Sequence, residues 1–173
     1  MIRAIFLDVD GTLISFSTHE IPASALRALA QAHERGVRLF IATGRAANDL
    51  GPLEGIPYDG VVSLNGARCV ASDGRVVSLH PIPRADFERA LALSEEQGFA
   101  MGLELEEGVF VNRVTPDVER VAHMVAHPVP EQTDLRELFG RVECCQLCFY
   151  FDAQTQRRVM AELPTLVASR WCP

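Results

Sequence analysis

The sequence contains no lysine: all 16 of its basic side chains are arginines. Any mechanism that needs a lysine, whether for a Schiff base or as an ammonium bridging two anions, must find it outside this chain. There is also no run of basic residues, and 23 acidic against 16 basic side chains leave a net charge of −7. A nucleic-acid groove or an anionic membrane surface needs the opposite balance, so neither partner is expected. A small anionic substrate remains compatible, because a local site can oppose the global sign. No stretch approaches the ~20 apolar residues of a spanning helix. The apolar N-terminal segment is short and is interrupted by Asp8 and Asp10, unlike the core of a secretory signal. Five cysteines, an odd number, in such a chain predict a reducing, cytoplasmic setting with free thiols. Cys145-Gln-Leu-Cys148 has the spacing of a metal or redox pair, but a second ligand pair is missing. Residues 144–151 therefore read as a buried strand.

What is present is ordinary globular composition, 48% hydrophobic and 23% charged over 173 residues, enough for one domain or a core with a smaller second lobe. Residues 3–7 form a short apolar run that predicts a strand buried on both faces. Pro22 opens a helix whose positions Leu26, Leu29, Ala30 and His33 recur at helical spacing, stopped by Gly36. Residues 37–42 and 61–64 predict two further buried strands, with a short helix through Leu50 between them. Strand and helix alternating in this way predict a parallel sheet wound with helices. Residues 68–71 and 75–79 read as a hairpin around Ser72-Asp73-Gly74, and Pro81 and Pro83 mark a lobe boundary. Beyond it the pattern predicts a small α+β lobe. Its helices are expected over 84–97, 116–126 and 154–163, and its strands over 99–104, 109–113, 146–151 and 165–171.

The segment that carries chemistry is Phe6-Leu7-Asp8-Val9-Asp10-Gly11-Thr12-Leu13. Ligands of wound parallel sheets bind beyond the carboxyl ends of the strands, where Asp8 falls. Residues two apart in extended backbone point the same way, so Asp8 and Asp10 can face one crevice. Gly11 permits a sharp turn after them. Two carboxylates this close call for a cation between them or a proton on one, and either suits phosphoryl transfer. Thr43-Gly44-Arg45 closes the next predicted strand at the same end of the sheet. A hydroxyl and backbone N–H groups at a strand-to-helix turn make a phosphate cradle.

Asp8-Val9-Asp10-Gly11-Thr12 resembles the first motif of the haloacid dehalogenase (HAD) superfamily, and Ile41-Ala42-Thr43-Gly44-Arg45 resembles its second. Leu64-Asn65-Gly66-Ala67, followed by a hairpin and a large α+β insertion, is similar to the Cof-like sugar phosphatases of subfamily IIB, which carry a C2B-type cap. Phosphomannomutases and sucrose-phosphate phosphatases are relatives of that branch. The resemblance covers residues 1–81 closely and the cap in outline. It implies an α/β fold, with a Rossmann-like HAD core over 1–81 and an α+β C2-type cap over 82–173.

The same resemblance implies the roles of individual residues. Asp8 is the nucleophile that forms an aspartyl phosphate, and Asp10 protonates the leaving oxygen and then activates water. The acid at position 10 points to phosphatases and mutases, because dehalogenases lack it and ion-pump relatives carry threonine there. Mg²⁺ is expected on the Asp8 carboxylate and the Asp10 backbone carbonyl. Gly11, Thr12, Thr43 and Gly44 are implied phosphate-binding residues, and Arg45 and Asn65 are implied substrate or loop contacts. The cap is expected to close over the crevice, read the rest of the substrate and exclude water. In the family a third motif supplies a lysine between nucleophile and phosphate, and a fourth, of Gly-Asp-x-x-x-Asp type, completes the Mg²⁺ site. Both follow the cap, and neither is present here. The chain is therefore expected to continue for roughly 80–100 residues, the size of a half-core, and to be inactive without them.

The expected activity is Mg²⁺-dependent hydrolysis of a small phosphorylated metabolite, a sugar phosphate. A phosphohexomutase of the phosphomannomutase kind would return the phosphoryl group to sugar, and a non-catalytic relative would keep Asp8 as a vestige. A phospho-accepting receiver domain also places an aspartate at a strand end, but the Asp-x-Asp-Gly-Thr spacing and the inserted lobe speak against it. Of the remaining polar residues, His19 lies in the loop after the first motif, within reach of the crevice, but reads better as a solvated loop histidine. His33, His80, His123 and His127 lack metal spacing; Glu104, Glu106 and Glu107 sit at a cap strand pair, where they are candidates to bond sugar hydroxyls but read better as a solvated acidic turn; and Trp171 reads as cap packing.

Overall fold

A computed structural model describes residues 2–15, 17–18, 20–125 and 127–169. The chain divides into two compact units, Met1–His80 and Pro81–Pro173. In the first, the apolar run Ala4–Leu7 (β1) pairs in parallel with Arg38–Ala42 (β2), and β2 pairs in parallel with Gly60–Ser63 (β3). Arg68–Ala71 (β4) and Val76–Leu79 (β5) fold back antiparallel, so the sheet runs β1-β2-β3-β4-β5. Ala23–Glu34 (α1) links β1 to β2. Its end is a Schellman turn: Gly36 takes φ +81° and donates to His33 O, while Val37 donates back to Ala32 O at 3.1 Å. That turn sends the chain directly into β2.

The period of two in β2 separates the faces of this sheet. Leu39 and Ile41 are fully buried with Leu29 of α1, Val61 and Ile56. Phe40 points the other way and stacks on Phe6, ring centroids 4.9 Å apart. Phe6 is 63% exposed. β1 is therefore half-buried, with Ile5 and Leu7 packed on the core face and Phe6 exposed, and not buried on both faces as its apolar run predicts. The helix expected through Leu50 is also absent. Its place is taken by irregular chain and a single 3₁₀ turn, Gly51–Leu53. Asn48 and Asp49 favour turns over helix interiors.

The second unit is a four-stranded sheet layered with helices. Ala100–Leu105 (β6) and Gly108–Val111 (β7) form an antiparallel hairpin after Arg84–Gln97 (α2), whose end is Gly98 at φ +78°. Pro116–Met124 (α3) follows, with its first turn capped by Thr115. Glu131–Gln132 (β8) adds a short parallel edge to β7, Leu135–Phe139 (α4) follows it, and Gln146–Tyr150 (β9) pairs antiparallel with β6. Ala153–Ala161 (α5) is the last element among the described residues. One sheet face, Met101, Leu103 and Leu105, buries against Phe87, Leu91, Leu135, Phe139 and Val159. The Phe87 and Phe139 rings stack at 4.0 Å. Phe87→Ala is expected to cost the unit ~3–5 kcal/mol, the usual range for emptying a fully buried aromatic site. Denaturant unfolding checks it, and a cost below ~1 kcal/mol would show that the site collapses around the void.

Three expectations for this unit need correction. No strand forms over 165–169, where the chain runs irregularly after α5. Residues 170–171 of that expected strand, and with them Trp171, lie outside the described residues, as does His19. Glu104 is not part of a solvated turn. It sits in β6 opposite Gln146, and its carboxylate accepts from Gln146 Nε2, with Cys148 Sγ at 3.5 Å. Finally, the strand around the cysteines begins at Gln146, after Cys144 and Cys145, which are buried. Burial raises the Cys144 thiol to about 11, so it stays protonated and core-like at neutral pH. Among the described residues no helix is long and apolar enough to cross a membrane.

Candidate active site

Because β1, β2 and β3 run in parallel, their carboxyl ends meet at one edge: Leu7 lies opposite Ile41, and Ala42 opposite Val62. Asp8, Thr43 and Leu64 each leave the sheet there. The first loop is tied down by one carbonyl. Val9 is buried, and its oxygen accepts from the amides of Thr12, Leu13 and Ile14 at 3.3, 3.0 and 2.9 Å. Gly11 takes φ +77° and donates to Ile14 O at 2.8 Å, a conformation that an L side chain would strain. With Val9 anchored inward, Asp8 is exposed and Asp10 half-buried on either side of it. The Thr12 hydroxyl donates to Asp8 Oδ2 at 2.8 Å, which fixes that carboxylate without using all its lone pairs.

The second strand end is interlocked with the third. Thr43 is buried, its amide donates to Val62 O at 2.9 Å, and its carbonyl accepts from Asn65 N at 3.1 Å. Its hydroxyl accepts from the Arg45 amide at 3.1 Å and keeps its own O–H to donate. Arg45 O accepts from Leu64 N at 3.1 Å. These bonds hold Leu64 and Asn65 at φ +50° and +53°, which Asn tolerates and Leu rarely adopts. A Cβ on Gly44 would lie 3.2 Å from Asn65 Oδ1 and 3.3 Å from Nδ2, so a bare backbone at position 44 lets the Asn65 amide pack against it. The expected phosphate cradle is thus a loop braced by a neighbouring loop. No helix starts after Arg45, so the helix-terminus part of that expectation falls.

Of the two contacts the resemblance implies for Arg45, substrate or loop, the structure has the second: its side chain grips Asp10 of the first loop with two donors, Nη2 to Oδ1 at 2.7 Å and Nε to Oδ2 at 2.9 Å. Its Nη1 donates to Asp49 Oδ2 and to Asp49 O, both at 3.2 Å. The hydrogen bond to Asp10 is the main cause that raises the Arg45 guanidinium above its ordinary value, against the opposing effect of partial burial. Asp49 is a site neighbour that sequence reasoning misses. Its only signal is the Arg45–Asp49 spacing of four, which is informative on a helix and carries little in irregular chain.

The edge therefore presents an exposed carboxylate, a second carboxyl group held by an arginine, and a buried threonine hydroxyl. The Asp8 carboxylate and the Asp10 main-chain carbonyl are hard oxygen donors of the kind Mg²⁺ takes. Among the described residues no three His, Cys, Asp or Glu side chains gather to hold a metal. These two groups fit part of a Mg²⁺ site, in which the ion commonly keeps several waters.

Residues 5–171 match the family described as haloacid dehalogenase-like hydrolase. The structure superposes on the phosphatase BT1666 of Bacteroides thetaiotaomicron with a TM-score of 0.95 and 53% identity, covering 100% of this chain and 65% of that one. It superposes on the HAD subclass IIB sugar phosphatase BT4131 with a TM-score of 0.86 and 29% identity, covering 99% of this chain and 67% of that one. A curated relative from Bacillus subtilis, the putative phosphatase YkrA, is 25% identical over 175 residues, 98% of this chain. The chain spans 65% of the length of that relative. With this match over nearly all of its residues, the chain belongs to the haloacid dehalogenase-like hydrolases, in their Cof-like branch.

Proposed function

We propose that the whole protein is a Mg²⁺-dependent phosphatase acting on a sugar phosphate through an aspartyl-phosphate intermediate. The observation that carries this reading is the joint placement of Asp8, Asp10 and the Thr43 hydroxyl at one sheet edge. In the first step an Asp8 oxygen bonds to phosphorus as the ester P–O bond breaks, and Asp10 gives its proton to the departing sugar oxygen. In the second, water attacks phosphorus and passes a proton to Asp10, the Asp8–phosphate bond breaks, and inorganic phosphate leaves. We assign Thr43 O–H and the Gly44 amide as donors to phosphoryl oxygens, and the Thr12 hydroxyl, which bonds Asp8 Oδ2, orients the attacking carboxylate. Mg²⁺, when bound, supplies positive charge that offsets the anions brought together.

The likeness to a sugar phosphatase supports the substrate class, and we assign the second unit the role of a C2B-type cap that selects the sugar. Cys69, Cys144, Cys145 and Cys148 are free thiols, which suits a cytoplasmic setting. Release of inorganic phosphate from a hexose phosphate tests the reading, and return of the phosphoryl group to sugar would make the protein a mutase instead. Asp10→Asn is expected to slow a sugar phosphate ~10²–10⁴-fold and an aryl phosphate much less, because a good leaving group needs little protonation in the transition state. Steady-state kinetics on the two substrates check this. Equal losses would show that Asp10 acts through loop or metal geometry alone.

A further inference from the structure

We propose that Arg45, anchored by Asp49, is a positioning residue that holds the Asp10 carboxyl in its working orientation. The inference rests on the reading of Asp10 as the proton-transfer group and extends it to two residues with no role in that chemistry so far.

The geometry is specific. Arg45 meets Asp10 edge-on, with Nη2–Oδ1 at 2.7 Å and Nε–Oδ2 at 2.9 Å. Two parallel hydrogen bonds fix the plane of a carboxyl group as well as its position, which one bond does not. The guanidinium is itself held from the far side, where Nη1 meets both a side-chain and a main-chain oxygen of Asp49 at 3.2 Å. Its backbone is pinned at both ends, the amide by Thr43 Oγ1 and the carbonyl by Leu64 N. Asp10 extends from a loop whose own ties run through the Val9 carbonyl and the Gly11 amide. Those bonds fix backbone, so the direction of the Asp10 side chain is set across the crevice by Arg45. The Arg45 side chain is 22% exposed, so the pair is shielded from much of the solvent that loosens surface ion pairs.

The fork does not block the chemistry. Each carboxyl oxygen has two lone pairs, and Arg45 takes one from each, leaving the outward pair of one oxygen to carry a proton toward the substrate. Lysine cannot substitute, because a point charge lacks the planar pair of donors. Misplacement of a reacting group by about 1 Å can cost ~10²-fold in rate without any change in substrate affinity, and that is the loss expected here.

The test is a kinetic series on the whole protein with a hexose 6-phosphate and 4-nitrophenyl phosphate. Arg45→Gln is expected to lower kcat on the sugar phosphate ~10²-fold with KM nearly unchanged, and to lower it far less on the aryl ester. Arg45→Lys should fail to restore the rate. Asp49→Asn, a milder change at a partly exposed site, should shift kcat the same way by ~10-fold, and it serves where Arg45→Gln does not fold. In an Asp10→Asn background, Arg45→Gln should cost nothing further. A raised KM with intact kcat, rescue by lysine, or a full Arg45→Gln loss in the Asp10→Asn background would overturn the inference while leaving Asp10 as the acid. Equal losses of Asp10→Asn on both esters, or no turnover of either ester by the unaltered protein, would instead remove the underlying reading.

Discussion

Asp8→Asn is expected to abolish turnover by the whole protein, with a loss of ~10⁴-fold or more, the scale on which an essential nucleophile is missed. The substitution changes almost no volume. The new side-chain amide would keep an oxygen able to accept from the Thr12 hydroxyl, which now reaches Asp8 Oδ2 at 2.8 Å. The loop itself hangs on the buried Val9 carbonyl and on Gly11, neither of which the change touches. What is lost is the attacking charge and one of the two oxygen donors offered to Mg²⁺. Circular dichroism and a melting temperature within a few degrees of the unaltered protein would establish that folding survives. Retention of more than about a hundredth of the original rate would rule out covalent catalysis at Asp8. A trapped beryllofluoride adduct, seen in the unaltered protein and absent in Asp8→Asn, would mark the same oxygen directly.

The parts of this fold that are legible in the sequence are those fixed by local chemistry. α2 can be bounded at Arg84 and Gln97 because Pro83 precedes it and Gly98 ends it in the left-handed region. The edge that gathers Asp8 and Thr43 follows from three short apolar runs separated by crossover lengths, since parallel strands align their carboxyl ends. What escapes is set by contacts distant in sequence. α4 has five residues, too few to show a period, and exists because Asp134 caps Arg136 and Glu137 while Leu135 and Phe139 bury against Phe87 and Leu103. β8 is two residues paired to β7. Phe6 reads as core from its neighbours, but its exposure depends on which face α1 covers. The bond from Arg45 to Asp10 spans 35 positions and joins two loops. No spacing rule reaches it, so the sequence leaves Arg45 between a substrate and a loop contact and does not single out Asp10 as its partner.

Residues 1–173 by themselves are expected to hydrolyse sugar phosphates far below ~1 per second, the lower end of ordinary enzymatic rates. A phosphate monoester brings two negative charges to an edge where Asp8 already presents a third, and in-line attack is strongly opposed unless cations gather there. This chain has no lysine to supply one. Arg45 is close, but its donors are directed to Asp10 and Asp49. Of the groups that could hold Mg²⁺, the described residues offer the Asp8 carboxylate and the Asp10 carbonyl, with no cluster of three ligating side chains. Two protein donors leave most of the ion's coordination shell to water, so its position against the phosphoryl group is poorly fixed. The measurement is phosphate release from a panel of hexose and pentose phosphates at saturating Mg²⁺, using a purified monomer of residues 1–173. Turnover at ~1 per second or more, abolished by Asp8→Asn in the same preparation, would show that the Thr43 hydroxyl, the Gly44 amide and a poorly fixed Mg²⁺ suffice to balance three anionic charges at this edge.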